Sequence, residues 1–257
     1  MAGTDHRIIL QDRDRQLLGE LAIMRVIDRE QAKSAAGFRS TTRANTRLLA
    51  LTRAGLLRRF FLGTTGGARK SLYALSPKGA AFAAVPYRGP RRAQDQMLVA
   101  DFFLSHQLLV NHLYCILKHR QIPIADAKLI RWRSFYEPLK GSALIPDGYA
   151  EITTADRNLA VFLEVDLGHE SRSVWRKKVQ AYLQYAVSGN FTASFGQPQF
   201  RTLVVANSER RVASLCAATA SLTNKIFWFS TFEAIDRDGF WAPVWRRALD
   251  DSRQTLI

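Results

Sequence analysis

From Gln31 to Gln94 the chain carries thirteen Lys and Arg residues and no Asp or Glu. Such a stretch repels itself unless a polyanion neutralises it, which limits both its fold and its partners. Nucleic acid, with dense phosphate charge and releasable counterions, is the commonest polyanion of that kind. The excess is local: residues 1–94 hold 18 Lys and Arg against 6 Asp and Glu, whereas residues 95–257 hold 19 against 16. That asymmetry argues for two domains with different tasks, and 257 residues suffice for two modest cores.

A hydrophobic content of 47% with 15 Phe and 5 Trp excludes a mostly disordered chain. No apolar run approaches the roughly 18 residues of a membrane span, and the start MAGTDHRIILQDRDRQ lacks a signal peptide's apolar region. The expectation is a cytoplasmic protein without membrane contact. Cys115 and Cys216 stand far apart in apolar contexts and read as reduced core residues. There is no glycine-rich phosphate loop of Walker type and no Ser-His-Asp grouping.

Leu17, Leu18, Leu21, Ala22 and Met24 follow Asp12 and Asp14 at helical spacing and predict a first helix. A second starts after Asp28 and stops at Gly37. Ser40 or Thr41 caps a third, which runs through Arg53 and is closed by Gly55. In the third helix Ala44, Leu48 and Leu51 share one face, and Thr42, Arg43, Thr46 and Arg47 are assigned to the other. Leu56 to Leu62, a glycine-rich turn and Ser71 to Leu75 then read as a hairpin, with Arg69 and Lys70 at its return. Three helices followed by a basic hairpin is the order of a winged helix-turn-helix. The phrases Ala54-Gly55-Leu56-Leu57 and Tyr73-Ala74-Leu75-Ser76-Pro77-Lys78-Gly79 resemble the turn and hairpin exit of bacterial winged-helix regulators. The candidate contacts to double-stranded DNA are Arg39, Thr42, Arg43, Thr46, Arg47, Arg69, Lys70, Arg91 and Arg92.

Pro86 to Arg92 combines two prolines, a glycine and three arginines, so residues 86–94 read as a basic linker between a DNA-binding domain at 1–85 and a second domain at 95–257. Met97 to Leu117 is apolar with a helical period and opens the second domain. A long apolar helix after a winged helix is also a common dimerisation element, which makes a homodimer an open expectation. His106, His112 and His119 lie on or beside that helix with no carboxylate or cysteine to complete a metal set, so they read as packing or surface residues.

Beyond it, Leu129 to Trp132, Leu144 to Ile152, Leu159 to Asp166, Arg201 to Ala206 and Ile226 to Phe229 read as strands. Ser171 to Val187 and Glu209 to Ala220 read as helices, giving a mixed α/β order. Alternation along a strand puts Glu164 and Asp166 on one face and assigns Leu163 and Val165 to the core. Together with Pro146-Asp147, this pattern resembles the PD-(D/E)XK nuclease-like fold over about residues 95–230. That resemblance implies that Asp147 and Glu164 hold a divalent metal and that a lysine assists; if Asp147, Glu164 and Asp166 meet, either Mg²⁺ binds there or one carboxylate titrates unusually high. Asp166 occupies the lysine position of that pattern, so Lys177 or Lys178 on the next helix is the candidate replacement; Lys178 borders an apolar stripe along which its stem can return to the strand ends. The bland alternative pairs Glu164 and Asp166 with nearby cations such as Arg172 and Arg176 as structural ion pairs.

The winged helix, Leu144 to Tyr149, and the phrase Phe162 to Glu170 followed by Lys178 and Tyr182 together resemble the replication-relaxation family of bacterial mobile elements. The fold expectation is therefore α/β, α+β overall: an N-terminal winged helix-turn-helix followed by a PD-(D/E)XK nuclease-like mixed-sheet domain. The resemblance implies a protein of a plasmid or integrated element that binds duplex DNA in replication, relaxation or transfer. Two alternatives stay open: a metal-dependent endonuclease or nickase with Asp147, Glu164, Asp166 and Lys178 as catalytic residues, and a dimeric winged-helix repressor.

Overall fold

The computed structural model describes residues 8–63, 69–87 and 97–257, with side chains from residue 102 onward in the helix that begins at Met97. Among them the fold is mixed α/β, with a three-stranded antiparallel sheet and a seven-stranded mixed sheet. Contacts divide the chain into two compact units, Met1–Arg120 and Gln121–Ile257. No helix of the described residues is long and apolar enough to cross a membrane.

The first unit opens with α1 (Asp12–Met24), entered through a reciprocal Gln11–Asp14 capping box. Asp28 caps α2 (Arg29–Ala36), which ends on Gly37 in the left-handed conformation, and Ser40 caps α3 (Thr41–Arg53). These are the expected helices, because caps are local signals. The hairpin follows as β2 (Leu57–Gly63) and β3 (Arg69–Leu75). An unanticipated strand, β1 (Val26–Asp28), pairs with β3, so the sheet order is β1-β3-β2. Ser76 then caps α4 (Pro77–Phe82).

The long helix, α5 (Met97–His119), was expected to open the second domain, with the boundary at 86–94. The compact units instead divide after Arg120. The reason is polar as much as apolar. Asn111 Nδ2 donates to the carbonyls of Met24 (3.0 Å) and Val26 (2.6 Å), Gln31 Nε2 donates to Leu108 O (2.7 Å), and Leu108 joins Val26, Leu62 and Leu72 in one cluster. Of the expected linker only Pro86 and Tyr87 are among the described residues.

The second unit is built on a sheet of order β10-β9-β8-β7-β6-β5-β4. Its strands β4 (Lys128–Arg133), β5 (Gly148–Thr153) and β6 (Asn158–Asp166) form an antiparallel meander. Helix α6 (Arg172–Val187) and the short α7 (Asn190–Phe195) lead to β7 (Arg201–Ala206), parallel to β6. Then α8 (Glu209–Ala220) leads to β8 (Phe227–Thr231), parallel to β7. The short α9 (Phe232–Asp238) and strands β9 (Trp245–Arg247) and β10 (Asp250–Gln254) complete the edge. The expected strand from Leu144 begins only at Gly148, because 144–147 are irregular and include a proline without an N–H; Asp147 N then donates to Leu163 O (3.1 Å).

The core lies between this sheet and α6, α7 and α8, and much of it is aromatic: Phe162 stands 4.9 Å from Phe200 and Tyr149 4.3 Å from Phe195 between ring centroids. Ala160 and Phe162 belong to this core, and by alternation Glu164 and Asp166 lie on the same face of β6. Leu163 and Val165 are buried as well, so the expected division into an acidic face and a core face does not hold. A central strand flanked by a parallel partner is covered on both sides.

Candidate functional site

On α3, Ala44, Leu48 and Leu51 are buried, and Thr42, Arg43 and Thr46 are exposed, as is Arg39 just before the Ser40 cap. Arg47 does not join them. It lies three residues after Ala44 and four before Leu51, on the flank of the buried stripe, where its guanidinium meets Asp14 of α1. Nε bonds Oδ1 at 2.8 Å, Nη2 bonds Oδ2, and Nη2 also donates to Ile9 O at 2.7 Å. Asp14 is wholly buried and also accepts Gln11 N–H at 2.7 Å, so the pair braces α3 on α1. Hydrogen bonding to Asp14 holds the Arg47 guanidinium still more firmly protonated than usual, against the opposing effect of burial.

Arg69 is exposed at the return of the hairpin, opposite Gly63. Lys70 is half-exposed and its Nζ lies 2.5 Å from Asp28 Oδ2, the cap of α2. Arg59 donates to Ser71 Oγ (3.0 Å) and lies 4.7 Å over the exposed ring of Phe61. Between α3 and the hairpin runs a cleft of about 440 Å³ whose walls include Asn45, Leu49, Arg59, Arg69 and Lys70 together with the acids Asp28 and Glu30. Arg91 and Arg92 lie outside the described residues.

In the second unit Glu164 is buried on β6 with both carboxylate oxygens engaged. Oε1 accepts the Tyr182 hydroxyl at 2.5 Å, and Oε2 accepts Lys178 Nζ at 3.0 Å. Lys178 reaches back from α6 along the ring of Trp175, as its place beside the apolar stripe implied, and also donates to Glu170 Oε1 at 2.8 Å. Asp147, at the entry to β5, accepts Val165 N–H at 2.7 Å and is close enough to repel Glu164 and attract Lys178. Burial pushes the Glu164 carboxyl up to about 7; Lys178 opposes that rise and Asp147 adds to it. Burial tends to deprotonate Lys178, but Glu164 and Glu170 outweigh it and hold the ammonium charged well above its ordinary range.

Asp166 is not part of this group. Its two oxygens take a bidentate pair from Arg211 of α8, both at 2.7 Å, and Arg211 also donates to Glu170 O. Glu164 and Asp166 are thus each ion-paired, with Lys178 and Arg211 as the cations rather than Arg172 and Arg176. Among the described residues no group of three or more His, Cys, Asp or Glu is placed to hold a metal ion. Lys178 Nζ stands on Glu164 Oε2, one of the oxygens a divalent ion would take.

The sequence reading missed Asp14, Arg211 and the ion-pair role of Glu170. The partners of Asp14 and Arg211 are 33 and 45 residues away and no local pattern announces them. Buried Cys115 and Cys216 are free thiols, as expected, and burial pushes them up to about 12 and about 11.

The molecule is thus a two-unit α/β protein that joins a basic helix-and-hairpin unit to a sheet carrying lysine-compensated carboxylates. A sequence model of replication-relaxation proteins matches residues 14–197, and the chain belongs to the replication-relaxation family. The match takes in Asp147, Glu164, Asp166 and Lys178 and ends before Arg211. No curated protein and no solved structure matches the chain.

Proposed function

We propose that this protein binds duplex DNA in the replication or relaxation of a plasmid or integrated element, its first unit acting as a winged helix-turn-helix. The observation that carries this reading is the surface of that unit. Arg39, Thr42, Arg43 and Thr46 are exposed along α3, and Arg59 and Arg69 are exposed on the hairpin, all within a stretch that contains no acid. Helix and hairpin are the two elements such a module applies to adjacent grooves or phosphates. Arg47 leaves the contact set, since its charge is matched by Asp14.

Each phosphate contact removed should lower the magnitude of the log–log salt slope of duplex affinity by about 0.9. Fluorescence anisotropy with Arg43→Ala plus Arg69→Ala should therefore show a slope reduced by about 2. Unchanged affinity and slope would remove the assignment.

The second unit supports a PD-(D/E)XK-like reading through its order: a three-stranded meander with Asp147 before its middle strand and Glu164 in the third, then a helix and a parallel strand. A metal-dependent nickase is the second reading, favoured by one observation, the meeting of Asp147, Glu164 and Lys178. Supercoiled plasmid with Mg²⁺ or Mn²⁺ separates the two. Nicking abolished by Asp147→Ala establishes the enzyme, and binding without cleavage in either metal removes it.

A further inference from the structure

Where β6 and β7 end, the second unit has a cleft of about 690 Å³ between the starts of α6 and α8. Its walls include Arg172, Arg210 and Arg211, with Asn207, Ser208 and Ser214, and no Asp or Glu among the described residues. Nearby acids already have cations: Asp166 has Arg211, Glu170 has Lys178 at 2.8 Å, and Glu209 has Arg253 at 2.7 Å. Arg211 is therefore neutralised, whereas Arg172, whose Nε donates to Ser214 Oγ at 3.1 Å, and the exposed Arg210 form no ion pair among the described residues. Ser208 caps α8, so the first turn of that helix adds its positive end to the same wall. Gly168, at φ +88, lets the chain leave β6 and turn along the cleft without a side chain filling it.

We infer that this cleft binds the phosphodiester backbone of nucleic acid, a second contact area in the second unit that engages phosphates without reading sequence. The ligand class follows from the walls. Two guanidiniums beside hydroxyl and amide donors suit phosphate oxygens. Among the described residues no aromatic ring lines the cleft, so a base has nothing there to stack on, which sets a backbone apart from a free nucleotide or an unstacked base.

The inference rests on the duplex-binding reading, and its test separates the two. Salt-dependent duplex affinity is measured for the full chain, for Arg172→Gln plus Arg210→Gln, and for Arg43→Ala plus Arg69→Ala. The glutamine pair should lower the slope by about 2, and Arg172→Lys plus Arg210→Lys should restore most of it, since a point charge still releases counterions. Should the glutamine pair fail to fold, Arg210→Gln alone, at an exposed position, should lower the slope by about 1. An unchanged slope in the folded glutamine variant overturns the inference and leaves the first unit's role intact. Loss confined to the Arg172 and Arg210 variants overturns the first unit's role and supports the cleft. A wild-type chain without duplex affinity overturns both.

Discussion

Replacing Glu164 by glutamine tests the electrostatics of the second unit. The carboxyl is fully buried and its folded value is raised from an ordinary 4.5 to about 7, with burial the largest cause. Between those two values the folded chain keeps a proton that the unfolded chain has released. Stability from this group is therefore fully present below pH 4.5 and is lost as pH rises through 7. At about 1.4 kcal/mol per pKa unit the loss is about 3 kcal/mol, most of it between pH 5 and 8. Glutamine keeps an acceptor for Tyr182 but turns an amide donor toward Lys178, which lowers stability by an amount that does not vary with pH. Wild type and Glu164→Gln should thus differ in slope, with the variant nearly flat in this contribution. All five tryptophans lie between residues 132 and 245, so tryptophan fluorescence during urea unfolding reports on this unit. Urea titrations at pH 5, 6, 7 and 8 give the two curves. Parallel curves, or a wild type that gains from this group as pH rises, would refute the account of a carboxyl kept neutral by burial.

Other substitutions address the first unit and the lysine. Arg47→Ala leaves Asp14 buried without its cation and should destabilise the first unit by about 3 kcal/mol, while the salt slope of duplex affinity stays at its wild-type value; a changed slope would return Arg47 to the contact surface. At Gly79 an added Cβ would meet Leu56 O at 2.1 Å, so Gly79→Ala should lower first-unit stability by about 2 kcal/mol, and a neutral outcome in thermal melting would mean that α4 shifts freely. Lys178→Met leaves the Glu164 and Glu170 carboxylates without their shared ammonium. It should destabilise the second unit by about 3 kcal/mol at pH 8 and by less at pH 5, where Glu164 is protonated; an equal loss at both would place the effect in packing.

What could be read from the chain was mostly local. Asp28, Gly37 and Ser40 marked helix ends because a cap is decided within three residues, and α8 begins and ends at the residues its pattern indicated. Strand β1 escaped because three residues form a strand only when β3 is there to receive them. Alternation placed Glu164 and Asp166 on one face but could not say that Lys178 would meet the first and Arg211 the second, since those pairings depend on how α6 and α8 cross the sheet. The assignment of Arg47 to the exposed face erred for a related reason: at a flanking helical position only the neighbouring element decides whether a cation faces solvent or a buried acid.

Because β3 has a partner on each edge and Lys70 is tied to the cap of α2, the hairpin is fixed to the helices before any ligand arrives. A ligand spanning α3 and the hairpin meets a surface that is already assembled, so little conformational entropy is lost when it docks. Differences among ligands should then appear in how long complexes last rather than in how fast they form.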